Sequence, residues 1–391
     1  MHVKTIELRQ FRNHKRLSMA PTSGVNLILG PNGAGKTNLI EAIAMMATGM
    51  SPRGAECESM VGWGEDGFAI KAVFQSDVDA TTPVTLEMKY RPGGARQIRE
   101  NGQTAVRLKE LIGRVPLVSF VPEDLSLVRG EPELRRRAIN MVLLQVDAVY
   151  AESLRRYTDA LKERNAALRQ LSEGQIPLEA LEPWDVALIQ AGLPLCQKRA
   201  EFVADFSTRV SQVQKRISGG KDNVRLEYKP SFSGPWDEAA ASRWRTHMRG
   251  IRDQEVALGM TMTGPQRDDV LFLLNERPAK SFASEGQLRT CAVSFKLAEI
   301  PYIQEKRGQK PICLLDDVLS ELDEDRAEQL LRELSQTGQC FVTMTGLESW
   351  RRHRHLPATL FKIDENTVGG ETVVLTGSPA PHDESLLVQT H

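Results

Sequence analysis

The chain has 391 residues, 41% hydrophobic and 26% charged, and its 50 basic and 51 acidic side chains leave a net charge of −1. This composition fits a globular protein with room for two or three domains and excludes disordered and fibrous classes. No global positive field exists, so any nucleic-acid surface has to be local; scattered Cys57, Cys196, Cys291, Cys313 and Cys340, with no C-x-x-C pair, no apolar leader and no run of eighteen apolar residues, lead us to expect a cytoplasmic chain without membrane association.

Met1 to Leu8 alternates weakly and predicts an edge strand, followed by Phe11-Arg12-Asn13-His14. Arg12 reads either as a solvated turn residue or as a group lying against a bound nucleotide. Val25 to Leu29 is short and apolar, as a buried parallel strand would be. It runs into Gly30-Pro31-Asn32-Gly33-Ala34-Gly35-Lys36-Thr37, which fits the phosphate-binding pattern G-x-x-x-x-G-K-[ST] without a gap. Leu39, Ile40, Ile43, Ala44 and Ala47 then recur at helical spacing. In this strand, loop and helix arrangement the glycines let successive N–H groups turn inward, and the helix start adds unpaired donors and a positive dipole end. Lys36 is placed to reach the β- and γ-phosphates, and the Thr37 hydroxyl to hold Mg²⁺.

Met50 to Asp66 reads as a loop. Phe68 to Phe74 and Val84 to Tyr90 are alternating runs, and Arg96 to Glu100 and Gln103 to Leu108 bracket Asn101-Gly102, a type I′ hairpin signal. The first hundred residues thus combine a P-loop unit with an antiparallel β-meander.

Leu117 to Phe120 predicts a strand, and from Glu131 to about Leu171 Ile139, Leu143, Val146, Leu154, Leu161 and Leu168 recur at helical spacing. Pro177 to Pro183 is a connector, and Trp184 to Ile217 is helical again. No heptad is sustained, so a compact helical lobe is expected rather than a long coiled coil. Its basic clusters read either as a solvated helix face or as a DNA-backbone surface, with Arg135, Arg136, Arg155 and Arg156 as the candidate contacts.

Val224 to Tyr228 and Val270 to Leu274 return to strand character, the second after Gly264-Pro265-Gln266-Arg267-Asp268-Asp269. Ser284 and Gln287 form a capping box for the helix from Leu288 to Glu299. Gly286 weakens a helix start but permits close approach of another backbone or a phosphate. Ile312 to Leu315 is a buried strand ending in Asp316-Asp317, where open α/β sheets bind ligands. Asp316 fits a Mg²⁺-side ligand and Asp317 a group that orients the attacking water. Ser320-Glu321-Leu322-Asp323, a helix to about Leu334 and the strand Gln339 to Met344 follow. Expected boundaries are 1–115 for the first part of an ATPase head, 116–250 for the helical lobe, 251–377 for the second part of the head and 378–391 for a disordered tail.

Taken in order, the P-loop, Phe120-Val121-Pro122-Glu123-Asp124-Leu125, Gly264 to Asp269, Ser284-Glu285-Gly286-Gln287-Leu288-Arg289 and Leu314 to Asp323 resemble the ABC-type ATPases that act on DNA, the structural-maintenance, Rad50 and RecF group, and most closely its RecF branch. The resemblance spans residues 11 to 323. It implies an α/β fold, an ABC-type P-loop ATPase head with a mixed sheet, β-meander and inserted helical lobe. It also implies that two copies face each other, so that Ser284, Gly286 and Gln287 meet the γ-phosphate held by the partner's P-loop, with Asp323 near the same nucleotide. Loss of the γ-phosphate would then open the dimer. RecF-like proteins are implied to clamp duplex DNA and single/double-strand junctions in recombinational repair and replication maintenance, working with RecO and RecR to load RecA.

Asp317 stands where ABC proteins commonly carry glutamate, and the shorter side chain predicts slow hydrolysis suited to a release switch. Thr343 or Thr345 stands where transporters carry a switch histidine. A transport-type ABC ATPase would show a Leu-Ser-Gly-Gly-Gln signature and that histidine, a small-molecule P-loop kinase would not account for Ser284 to Gln287, and a tether would need a long coiled coil.

Overall fold

The computed structural model describes residues 1–77, 83–104, 111, 113–232, 234–346, 357–363 and 373–379. The chain divides into two units, one of Met1–Leu125 with Phe295–His391 and the other of Ser126–Ser294.

In the first unit a seven-stranded sheet runs in the order Val373–Leu375, His14–Met19, His2–Phe11, Phe68–Gln75, Val84–Tyr90, Gln97–Glu100 and Gln103–Thr104. Apart from the parallel pairing of Val373–Leu375 with His14–Met19, its neighbours are antiparallel. The first strand is not an edge: it pairs on both sides, with His14–Met19 and with Phe68–Gln75. Its buried Val3, Ile6, Leu8 and Phe11 fit that interior place, which weak alternation in Met1 to Leu8 did not reveal. Asn101 and Gly102 both take positive φ, 49° and 80°, as a type I′ hairpin needs. Of the expected strand Gln103 to Leu108, residues 105–108 lie outside the described residues.

A second sheet of six strands is ordered Ser378–Pro379, Ala358–Lys362, Val25–Leu29, Cys340–Met344, Ile312–Leu315 and Leu117–Phe120. The five longer strands are parallel, so their C-terminal ends share one edge. Ser378–Pro379 closes one side as an antiparallel strand, where disorder from residue 378 was expected; residues 380–391 lie outside the described residues. The helix Lys36–Thr48 is buried at every position from Leu39 to Thr48, and its apolar residues share one core cluster with side chains of both sheets. A helix apolar all round calls for such a place.

The second unit holds helices Pro132–Val146, Ala148–Ser172, Glu182–Ile217, Ala240–Gly250 and Arg252–Leu258 and a three-stranded antiparallel sheet of Arg277–Pro278, Asp269–Leu274 and Val224–Lys229. The helices expected from Glu131 to about Leu171 are two, divided at Asp147, whose extended backbone and carboxylate cap the second helix, the carboxylate accepting from Tyr150 N–H. The expected boundaries at 116 and 250 differ from the observed ones at 126 and 294. Leu117–Phe120 pairs with Ile312–Leu315 and so stays with the parallel sheet, while Asp269–Leu274 pairs with Val224–Lys229 and so stays with the helices. Both pairings join residues far apart in sequence, and no local signal announces them. Among the described residues no helix is long and apolar enough to cross a membrane.

In the Gly264 to Asp269 segment Gly264, Pro265 and Asp268 are buried in this unit. Asp268 is buried and accepts from Tyr228 OH, from Ser231 N–H at 2.8 Å and from the buried Arg199. Elsewhere in the unit Arg164 is fully buried and donates to Asp185 at 2.8 Å, Glu255 at 2.6 Å and Thr261 at 2.8 Å. Removing one partner of a buried ion pair leaves the other charge unpaired. Arg164→Ala is therefore expected to cost about 3–5 kcal/mol, read as a lower urea midpoint; a midpoint within error of the parent would contradict this.

Candidate functional site

The glycine loop starts where the strand Val25–Leu29 ends. Gly30 N–H donates to Met344 O at 3.3 Å, and a Cβ at Gly30 would fall 2.2 Å from Ile363 O, so the bend between neighbouring strands admits only glycine. Gly33 and Gly35 hold φ of 85° and 98°, and Gly35 opens the helix Lys36–Thr48, which has no side-chain cap. Its first-turn N–H groups and positive dipole end remain directed at the loop. Pro31, Asn32 and Gly33 are exposed on the rim, while Ala34, Gly35 and Lys36 are buried. Lys36 Nζ donates to Gly30 O and Pro31 O, both at 2.8 Å, and so lies within the loop. Burial lowers its pKa, opposed by the nearby carboxylates of Asp317 and then Asp316.

The strand Cys340–Met344 lies between the loop's strand and the strand Ile312–Leu315, and its Thr343 reaches the acidic pair. Asp316 Oδ1 accepts from Thr37 Oγ1 and from Thr343 Oγ1, each at 2.9 Å. Asp317 N–H donates to Thr343 Oγ1 at 2.8 Å. Burial raises the Asp316 pKa, while the hydrogen bonds from Thr37 and Thr343 and the charge of Arg53 hold it down. Thr37 and Asp316, expected as Mg²⁺ ligands, thus present adjacent hard oxygens. Among the described residues no group of three or more His, Cys, Asp or Glu could hold a metal. Two protein oxygens completed by phosphate oxygens and water are what Mg²⁺ at a nucleotide site uses. Asp317 has φ of 54°, unusual for a residue with a side chain, so the backbone turns sharply as it leaves the strand. Ser320 Oγ donates to Asp317 O at 2.7 Å, and Asp323 caps the helix Glu324–Ser335 by accepting from Arg326 N–H at 3.0 Å.

Arg12 lies against the loop's helix. Its Nε and Nη2 donate to the two oxygens of buried Glu41 at 2.9 and 3.0 Å, and Nη1 donates to Ser59 O at 2.7 Å. Sequence reasoning singled out Arg12 and missed Glu41, although an acid inside the run Leu39-Ile40-Glu41-Ala42-Ile43 was itself a signal. It also missed Asn13 and His14, which bond to Gly33 O and Gly35 O, and Arg53 beside Asp316.

In the second unit the capping box is formed as expected: Ser284 N–H donates to Gln287 Oε1 at 3.0 Å and Gln287 N–H to Ser284 Oγ at 3.3 Å. Gly286 sits in that first turn, and Gln287 Nε2 donates to Asp222 Oδ1 at 3.1 Å and Oδ2 at 3.3 Å. Two of the four arginines expected to face DNA are otherwise engaged. Arg135 is buried, pairs with Asp269 at 2.7 Å and donates to Leu127 O and Gly130 O. Arg136 donates to Asp268 O at 2.8 Å. Their positions in a basic run hid that they anchor the Asp268-Asp269 segment. Arg155 and Arg156 are exposed, and both bond to Glu152.

Residues 2–358 match the model of the RecF/RecN/SMC N-terminal domain family. A DNA replication and repair protein RecF of Heliobacterium modesticaldum is 39% identical over 370 residues, covering 93% of this chain and 97% of that protein. The chain belongs to the RecF family. A solved structure described as the recombination mediator protein RecF-ATP in the RecFOR pathway aligns with a TM-score of 0.84 and 27% identity, over 97% of this chain and 98% of the other. An Smc head bound to the C-terminal winged-helix domain of ScpA, 15% identical with a TM-score of 0.54, shares the fold over 99% of this chain and 100% of its own. These likenesses agree with the α/β ATPase-head fold expected from the sequence.

Which threonine serves the acidic pair is decided by the geometry, since Thr343 is buried with three hydrogen-bonding neighbours while Thr345 is exposed. Thr343→Val leaves the Asp317 N–H without an acceptor and takes a donor from Asp316. It is expected to lower stability by about 1–3 kcal/mol in chemical denaturation, with Thr345→Val unchanged. Equal midpoints for the two variants would refute the assignment.

Proposed function

We propose that this RecF-family chain binds ATP with Mg²⁺ at the Gly30 to Thr37 loop, pairs with a second copy while ATP is intact, and in that state clamps DNA at gaps and single/double-strand junctions. The observation carrying the reading is the junction of Lys36, Thr37 and Asp316 at the C-terminal edge of the parallel strands. There an uncapped helix start, an ammonium and two hard oxygens converge on one space. That set suits a magnesium triphosphate. The RecF-ATP relative in the RecFOR pathway supports the nucleotide and the pathway.

In this reading the loop N–H groups and Lys36 orient the β- and γ-phosphates, and Thr37 and Asp316 hold Mg²⁺, which would offset phosphate charge. Asp317 orients the attacking water. Its short side chain and strained backbone place the carboxylate less favourably than a glutamate would, so turnover is slow and serves release. Ser284, Gly286 and Gln287 meet the γ-phosphate bound to the second copy, with Asp323 beside it. RecO and RecR are the partners and loading of RecA the outcome, in the cytoplasm at the nucleoid. Arg155 and Arg156 are the exposed remainder of the proposed DNA contacts.

Filter binding tests the switch: retention of gapped duplex DNA should require ATP, and retention independent of nucleotide would remove it. Lys36→Arg should still bind ATP but hydrolyse it about 100-fold more slowly, because a planar fork replaces a point charge. Parent turnover above about ten per second, near the enzyme median, would count against slow hydrolysis. Ser284→Arg should bind ATP normally and fail to dimerise; sedimentation that still shows an ATP-driven dimer would refute the shared pocket.

A further inference from the structure

The turn between the first two strands and the residue after it meet the glycine loop. Asn13 Nδ2 donates to Gly33 O at 3.1 Å, and Asn38 Nδ2 from the loop's helix donates to Asn13 Oδ1 at 2.8 Å. His14 is buried, and its Nε2 lies 3.0 Å from Gly35 O. A carbonyl oxygen only accepts, so this nitrogen carries the proton. Gly35 O also accepts Leu39 N–H at 3.0 Å, which occupies both of its lone pairs. The contact is close: a Cβ at Gly35 would lie 2.5 Å from His14 Nε2 and Cε1 and 2.6 Å from Asn13 Oδ1. Burial lowers the His14 pKa, opposed by the hydrogen bond to Gly35 O.

In a peptide plane the carbonyl and the following N–H point in opposite directions. Pinning Gly35 O outward therefore fixes the Lys36 N–H inward, towards the space that the helix start faces. Pinning Gly33 O fixes the plane before Ala34, whose N–H donates to Pro31 O at 3.3 Å, and so holds the turn of the loop. Glycine planes rotate freely unless held, because no side chain restricts them. The loop's own bonds, Leu39 N–H to Gly35 O and Ala34 N–H to Pro31 O, restrain these planes from one side, and the donors from Asn13 and His14 add a second restraint, so less freedom remains to be lost on binding.

We propose that His14, assisted by Asn13, is a positioning residue of the nucleotide site that presets the peptide planes of Gly33 and Gly35 for a polyphosphate. The proposal rests on the nucleotide-binding reading above and adds what holds the loop in shape. It gives Gly35 a second reason to be glycine: the ring of His14 and the carboxamide of Asn13 press where a side chain would be.

The test compares His14→Leu, which removes the donor, with His14→Gln, whose Nε2 can reach the same oxygen. ATP affinity is measured by calorimetry on the full chain well below each variant's melting temperature, and hydrogen exchange is followed on the peptide covering residues 30–37. His14→Leu should weaken ATP binding about tenfold, as loss of a buried hydrogen bond implies, and speed exchange in that peptide alone, while His14→Gln should recover most of the affinity. If His14→Leu does not fold, Asn13→Ala, at a half-buried turn position, should show the same loop-confined exchange with a smaller loss. Parent-like affinity in His14→Leu, equal losses in the Leu and Gln variants, or exchange that rises evenly across the sheet would overturn the proposal. A parent chain that binds no ATP would instead remove the underlying nucleotide reading.

Discussion

A carboxylate at the depth of Asp316 persists only where donors satisfy it, and two threonines, one from a helix start and one from a neighbouring strand, do so. Thr37 comes from the first turn of the helix after the glycine loop and Thr343 from the strand between loop and acid, so one oxygen ties that helix and that strand to the end of the strand Ile312–Leu315. Thr343 simultaneously receives the Asp317 N–H, which fixes the direction in which the chain leaves the sheet. The positions of Lys36, Asp316 and Asp317 relative to one another follow from this small set of hydrogen bonds. Loss of Thr343 would leave the Asp317 N–H without its acceptor and Asp316 with Thr37 alone.

Much of that arrangement was legible in the sequence. The glycine loop, the apolar strand before it and the helix after it carry their own local signals, and so do the Asn101-Gly102 hairpin and the Ser284 and Gln287 capping box. Thr343 was legible only as one of two candidates, because the order of strands in a sheet is not written in any one of them. The clamp from Asn13 and His14 was missed for the same reason: a hydrogen bond to a carbonyl twenty residues away leaves no periodic trace. Glu41 was available as an acid in an apolar run, and its partner Arg12 was the residue already under suspicion.

The basic run of the helical unit shows the opposite failure. Arg135 and Arg136 look like a solvated, anion-seeking face, yet one is buried against Asp269 and the other holds Asp268 O. Arginine serves such internal roles well because its planar fork can satisfy several carbonyls and a carboxylate together. Cationic residues counted along a helix therefore overstate the surface charge of this unit, and the fully buried Arg164 is a further case. The strand pairings that move residues 116–125 and 251–294 between units are equally silent in the sequence, since they join segments separated by whole helices.

At the start of the helix Glu285–Arg307 the side chains of Ser284 and Gln287 already have company: each accepts the other's backbone N–H, and the Gln287 amide leans on Asp222. An arriving anion there trades existing hydrogen bonds for new ones and fills no void. Exchanges of that kind are close to isoenergetic, so a handshake formed at this point is as easily dissolved as made. For the proposed cycle of pairing and release, such indifference would let the same contact serve both steps.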